Sequence, residues 1–330
     1  MGEDAGAEVP RPAFGGRFVG SLVGASLVTL TSLVGVAIWT GASRLLHPPG
    51  LALRTPVEGL APLVGDAVRS AALGGMISDP KTDLGLAYAD VSFPAADGST
   101  LRGWLVPAPP GAAHADTAVM VLHDAGGDRR EGLRHAGPLH AAGHPVLLFD
   151  CREHGVSDGT GRGVGLGARE SEDVTSAAAW LRAEQGARRV AAVGLGQGAD
   201  AAILAAARDR SLDAVVAEGA STRTEDRVRD AAAGRVPEAV SRLVARLARW
   251  RAGVSQAPEP VDAVAGVAPV PLLLVHDALD PGVVRLRAEV LHDRAGAPKA
   301  LWVVANAAAG GAIAAEPEAW RERVTAWLLR

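Results

Sequence analysis

From Ala87 onward the chain alternates short apolar runs with amphipathic segments. Tyr88 to Phe93 and Thr100 to Val106 read as strands joined through Ala95-Ala96-Asp97-Gly98, where Asp-Gly supplies the hairpin turn. Thr117 to Leu122, Val146 to Phe149, Val190 to Val193, Ala214 to Ala217 and Leu272 to Val275 are near-continuous apolar runs. Strands covered on both sheet faces have that appearance, as in a parallel sheet. Between them the apolar positions follow helical spacing, as at Val174, Ala177, Ala178 and Leu181, and again at Trp320, Val324, Trp327 and Leu328. This alternation predicts a doubly wound, mostly parallel α/β sheet with right-handed crossovers.

A different pattern precedes it. Phe18 to Trp39 contains no charged residue and is flanked by Arg17 and Arg44. About 20 apolar residues suffice for a helix to cross a bilayer, because its backbone groups bond one another. The run predicts one transmembrane anchor over 18–41, after a short tail at 1–17. A signal peptide cut near Thr40-Gly41-Ala42 is the alternative, and the length of the run favours the uncut anchor. Residues 42–86, rich in Pro, Gly and Ala, read as a linker to a domain over 87–330. The expected placement is single-pass in a membrane, with the main domain extracytoplasmic.

Composition narrows the classes. At 330 residues and 48% hydrophobic, the chain can bury a sizeable core. A net charge of −4 argues against nucleic-acid binding. Cys151 is the only cysteine, which excludes an intrachain disulfide and a multi-cysteine metal site.

Ligand-facing residues of such sheets gather at the carboxyl ends of the strands. There the sequence reads His123-Asp124-Ala125-Gly126-Gly127, Asp150-Cys151-Arg152-Glu153-His154-Gly155, Gly194-Leu195-Gly196-Gln197-Gly198 and His276-Asp277-Ala278-Leu279-Asp280-Pro281. Together with Asp150-x-Arg152-x-His154-Gly155-x-Ser157-x-Gly159 and Gly167-x-x-Glu170-x-x-Asp173, these motifs resemble the α/β-hydrolase superfamily. The nearest branch is the serine aminopeptidase-like and acyl-hydrolase-like one, which often carries an N-terminal membrane segment. The resemblance covers about Ala87 to Arg330 and implies an α/β-hydrolase fold with a small helical lid over about 221–266.

It also implies a Ser-His-acid triad, of which only Asp280, at the acid position, remains. Glycine stands at the nucleophile position, Gly196, and alanine at the histidine position, Ala309. No histidine follows His292. Removing nucleophile or base costs about 10⁶-fold in turnover in a well-studied serine protease. The resemblance places backbone oxyanion donors at Gln197 and Ala125, with His123 and Gly126 beside them in the ligand-binding loop. A catalytically impaired pseudoenzyme, binding a small ligand or a partner protein through the former cleft, is therefore expected. A hydrolase with a rearranged set, using Ser221 or Cys151, and a purely structural module are the other two classes. His123, Asp124, Asp150, His154 and Asp280 lack strong ligand spacing, so no metal and no cofactor are expected. In the lid, Val240, Leu243, Val244 and Leu247 form a stripe expected to face the core, and eight arginines crowd the segment. Their plain role is a solvated face; contact with an anionic membrane is the sharper one.

Overall fold

The computed structural model of the chain describes residues 16–48, 77–277, 282–305 and 311–330. Asp280, Ala309, residues 1–15 and most of the expected linker lie outside the described residues. Eight strands form one sheet in the order β1-β2-β4-β3-β5-β6-β7-β8. They are β1 (Ala89–Pro94), β2 (Thr100–Val106), β3 (Thr117–Leu122), β4 (Val146–Asp150), β5 (Arg189–Leu195), β6 (Ala214–Glu218), β7 (Leu272–Asp277) and β8 (Lys299–Val304). β2 alone runs against its neighbours, pairing antiparallel with β1 and β4, while β3 to β8 pair parallel.

The central strands are buried at every position, as continuous apolar runs require when both faces are covered. On one face, Phe93, Phe149, Val174, Leu181 and Ile203 pack between the sheet and helices α4 (Ala168–Glu184), α5 (Gln197–Asp209) and α9 (Gly282–Arg294). On the other, Trp104, Leu133, Leu139, Trp320 and Trp327 join α3 (Leu133–Ala141) and α11 (Pro317–Leu328) to the sheet. The short α2 (Pro80–Leu84) is capped by Asp79, which accepts from the backbone of Lys81 and Thr82. The lid carries α6 (Thr224–Ala231), α7 (Glu238–Arg251) and α8 (Pro260–Ala263); α10 (Gly311–Ala315) precedes the last helix.

The N-terminal helix α1 (Gly16–Leu46) runs past the boundary expected at residue 41. Ala42 and Leu46 are fully buried against Val244, Ala245 and Ala248 of the lid. Residues 31–37 are all exposed, Leu33 and Val36 by 62% and 63%. Among the described residues, no helix is long and apolar enough to cross a membrane; side chains of 16–28 are not among those described.

Of the expected lid stripe, Val244 is buried and Val240 and Leu247 pack against the same cluster, while Leu243 turns outward. α7 buries Ser241, Val244, Ala245 and Ala248, leaving Leu243 48% exposed. The cause is its partner: Gly41 of α1 sits so close that a Cβ there would lie 3.3 Å from Val244. Small residues permit that approach, so the neighbouring helix, and not side-chain size, sets the buried face. Several of the arginines are tied into ion pairs, Arg223 with Asp262, Arg227 with Asp200, Arg242 with Glu238 and Arg249 with Glu259.

Candidate active-site cleft

β5 ends at Leu195, and Gly196 turns the chain directly into α5 with φ +53° and ψ −113°. A residue with a Cβ is strained there, which glycine avoids. The flanking glycines are demanded by close packing. A Cβ on Gly194 would lie 2.4 Å from the carbonyl of Gly198, and one on Gly198 2.5 Å from the carbonyl of Leu122. The elbow of the resemblance is thus present in backbone form.

The space in front of it is filled. A Cβ built on Gly196 would lie 2.3 Å from Asp124 Oδ1 and 2.4 Å from its Cγ. The same oxygen accepts the backbone N–H of Gln197 at 2.6 Å. Gln197 N–H, the donor expected to hold an oxyanion, is thus engaged by a carboxylate of the chain itself. A folded-in anion at the first amide of a helix is electrostatically favourable.

Asp124 is aimed by its loop. Its N–H donates to Glu131 Oε2 at 2.8 Å, and its carbonyl accepts from Gly127 N at 3.0 Å. Cys151 N–H donates to His123 Nε2, which leaves the ring proton on Nδ1 to donate to Asp124 O at 2.8 Å. His154 Nε2 lies 3.0 Å from the carbonyl of Ala125. His123 and His154 therefore order the loop and are buried behind it. Ala125 and Gly126 are half-buried at its turn, and the Ala125 side chain touches the lid cluster.

Arg227 reaches down from α6 to bind two carboxylates, Asp200 Oδ2 at 2.5 Å and Asp124 Oδ1 at 3.5 Å. Burial opposes the guanidinium charge, but Asp200 and Asp124 more than restore it, so Arg227 stays protonated. Burial pushes the Asp200 carboxyl above its ordinary range, against the pull of Arg227 and Ser221.

Neither expected replacement nucleophile is armed. Ser221 Oγ donates to Asp200 Oδ2 at 2.7 Å, and its N–H to Oδ1 at 2.8 Å. It does not cap α6: the first helical amide, Thr224 N–H, donates to Glu259 Oε2, and Asp226 accepts the amides of Thr222 and Arg223 just ahead of the helix. Cys151 is buried, and burial pushes its thiol well above the ordinary value, with Asp173 and Glu170 adding to the rise. Its thiolate fraction is negligible at neutral pH. Ser157 is structural, donating to Asp150 O and accepting from Arg102 N. Asp150 accepts Arg129 N, Nε and Nη2 in a buried ion pair.

Sequence reasoning missed the ion-paired set of Asp124, Arg227 and Asp200, and the buried Glu218. The Glu218 carbonyl accepts Gly196 N–H, while its carboxylate accepts Trp320 Nε1–H at 2.6 Å and lies 3.8 Å from His135 Nε2. Neither ring nitrogen of His135 has a hydrogen-bond partner among the described residues. A glycine at the elbow was the available signal for Asp124, because it vacates the space a neighbouring side chain can enter.

His276, at the end of β7, is 2% exposed and lacks a hydrogen-bond partner among the described residues. Burial and the nearby Arg287 hold it down to about 4, from an ordinary 6.5. The unfolded chain takes up this proton near 6.5 and the folded chain only near 4, so stability is lost as pH falls through that window. The loss amounts to about 3 kcal/mol from this group. Urea titrations across the window should show His276→Leu with a flatter profile than the natural chain; equal slopes would rule out His276 as the sensitive group.

No family model matches the chain, and no curated protein matches it. Solved structures do. The Pyrococcus furiosus esterase Pf2001 is 24% identical, with a TM-score of 0.59 over 77% of this chain and 94% of that one. The α/β hydrolase GrgF from Penicillium sp. sh18 is 20% identical, with a TM-score of 0.58 over 74% and 98%. The esterase EaEST from Exiguobacterium antarcticum is 16% identical, with a TM-score of 0.55 over 73% and 100%. Their likeness establishes the fold.

Proposed function

We propose that this chain, which has the α/β-hydrolase fold, is a membrane-tethered pseudoenzyme that binds a small ligand or partner protein through its former active-site cleft. One observation carries the reading: Asp124 holds the Gln197 N–H at 2.6 Å, in the space a nucleophile side chain would enter. The elbow thereby lacks both its nucleophile and a vacant oxyanion hole, the two features that supply most of the rate in acyl transfer. Tethering is supported by the apolar face of α1, where Leu33, Val34 and Val36 stand exposed among the described residues.

The test is treatment of the full chain, in detergent, with a fluorophosphonate, followed by intact mass and peptide mapping. The expected result is no adduct on the native protein. An adduct at Ser221, or at any other serine, that forms on the native chain but not on a chain heat-denatured before labelling would overturn the reading.

The esterases sharing the fold favour a second reading, hydrolysis with a rearranged set. The group best placed for it is Asp124, whose oxygen lies at the elbow. Attack of that carboxylate on an ester's acyl carbon would expel the alcohol and leave an acyl–aspartyl anhydride for water to open, so this reading expects ester turnover by the native chain that Asp124→Asn abolishes. No turnover, or turnover unchanged in Asp124→Asn, removes this alternative.

A further inference from the structure

The outer face of the lid is not used by the cleft. α7 turns Ser241, Val244, Ala245 and Ala248 inward and presents Arg242, Leu243, Arg246 and Trp250 outward. Leu243 is 48% and Trp250 68% exposed. Large apolar groups and guanidinium groups thus alternate along one helical face, the composition of helices that lie in a bilayer interface. The carboxylate on that face, Glu238, is paired with Arg242 at 3.1 Å, and Glu259 is paired with Arg249 at 3.0 Å. Arg246 and Arg251 have no carboxylate partner among the described residues, so the face is net basic.

Position supplies the second argument. Arg251 stacks 4.3 Å over the Trp39 ring and donates to Ser43 Oγ at 2.6 Å. These contacts tie the end of α7 to the point where α1 leaves the domain. Beyond that point Leu33 and Val36 stand 62% and 63% exposed, with Trp39 at 53%. The apolar strip of α1 and the outer face of α7 are therefore one continuous surface. Tryptophan and arginine at its turn are the residues that settle at headgroup depth.

We infer that the outer face of the lid, Leu243, Arg246 and Trp250, rests in the headgroup layer of an anionic bilayer, beside the point where α1 enters it. This rests on the tethering reading above. Isolated exposed apolar residues are ordinary; exposed apolar groups on two joined helices, edged by arginines with no carboxylate partner among the described residues, are matched by a lipid surface with negative headgroups.

The experiment uses the full chain in lipid nanodiscs, of phosphatidylcholine alone or with phosphatidylserine added. An environment-sensitive nitrobenzoxadiazole dye is attached to Trp250→Cys, Leu243→Cys or, as reference, Gln185→Cys, an exposed site after α4. Cys151 is buried and stays unlabelled, which intact mass verifies. The dye at 250 and 243 should emit at shorter wavelength than at 185 and be quenched by nitroxide lipids. Arg246→Glu should shrink the shift in anionic discs more than in neutral ones. Emission at 250 and 243 equal to that at 185, in discs that retain the chain, overturns the inference and leaves the tether intact. A shift insensitive to lipid quenchers overturns it in favour of a protein partner. A chain that does not stay with the discs overturns the tether itself.

Discussion

Gly196→Ser combined with Ala309→His is expected to remain unreactive towards fluorophosphonates, and to become reactive only when Asp124→Gly is added. The sequence alone suggests that restoring two residues is enough, because two are missing. The structure adds a third obstacle: the new Cβ would lie 2.3 Å from Asp124 Oδ1, well inside contact distance. At φ +53° a side chain at 196 also carries backbone strain, of about 1–3 kcal/mol. Overpacking adds about 1–3 kcal/mol unless Asp124 swings away. Swinging away surrenders its bonds to Gln197 N and Arg227, a charged-group loss of about 1.5–3 kcal/mol. Gly196→Ser should therefore destabilise by about 3 kcal/mol, and Asp124→Gly should recover much of it. A double-mutant cycle should give a coupling of about 1–3 kcal/mol between the two sites. Labelling of the two-residue variant as fast as the three-residue one would show that Asp124 does not guard the elbow.

Replacing Arg227 should have the largest effect on stability. Its guanidinium stands between Asp200, 2% exposed, and Asp124, 35% exposed. Arg227→Met leaves both carboxylates without their shared cation, and breaking a buried pair from one side costs about 3–5 kcal/mol. The loss should depend on pH. Burial already pushes Asp200 above its ordinary range, and without Arg227 it rises further. When the folded value exceeds the unfolded one, the folded state holds the proton between them. Stability then falls as pH rises through that window and returns on acidification. Denaturant midpoints at about pH 5 and about pH 8 should diverge for Arg227→Met more than for the natural chain. Adding Asp124→Asn and Asp200→Asn should restore most of the stability, since removing all members of a buried charged set is often near neutral. A flat profile for Arg227→Met would mean that the carboxylates do not depend on the arginine.

The fold was legible because its signals are local and repeated. Each buried strand announces itself as an uncharged run, and the elbow as Gly194-x-Gly196-x-Gly198. What stayed hidden depends on side-chain direction and on partners far apart in sequence. Nothing in the spacing of His123-Asp124-Ala125 says that the carboxylate turns towards residue 197 instead of solvent. Arg227 was one of eight similar arginines until its reach to Asp200 and Asp124 set it apart. In α7 the expected stripe holds at Val240, Val244 and Leu247, and Leu243 alone turns outward, its place taken by Ser241, Ala245 and Ala248 against α1.

The seating of Ala42 and Leu46 decides where the chain can be shortened. A soluble form begun after residue 44, the natural choice if the segment is taken as linker, would discard Ala42 and retain Leu46 without its helix. Val244, Ala245, Ala248 and Leu166 would then lose their cover. Each large side chain stripped of such burial forfeits about 1.5–3 kcal/mol, and the uncovered bed invites self-association. A truncation intended to remove the anchor should start ahead of Ile38, so that the last two turns of α1 remain as part of the lid.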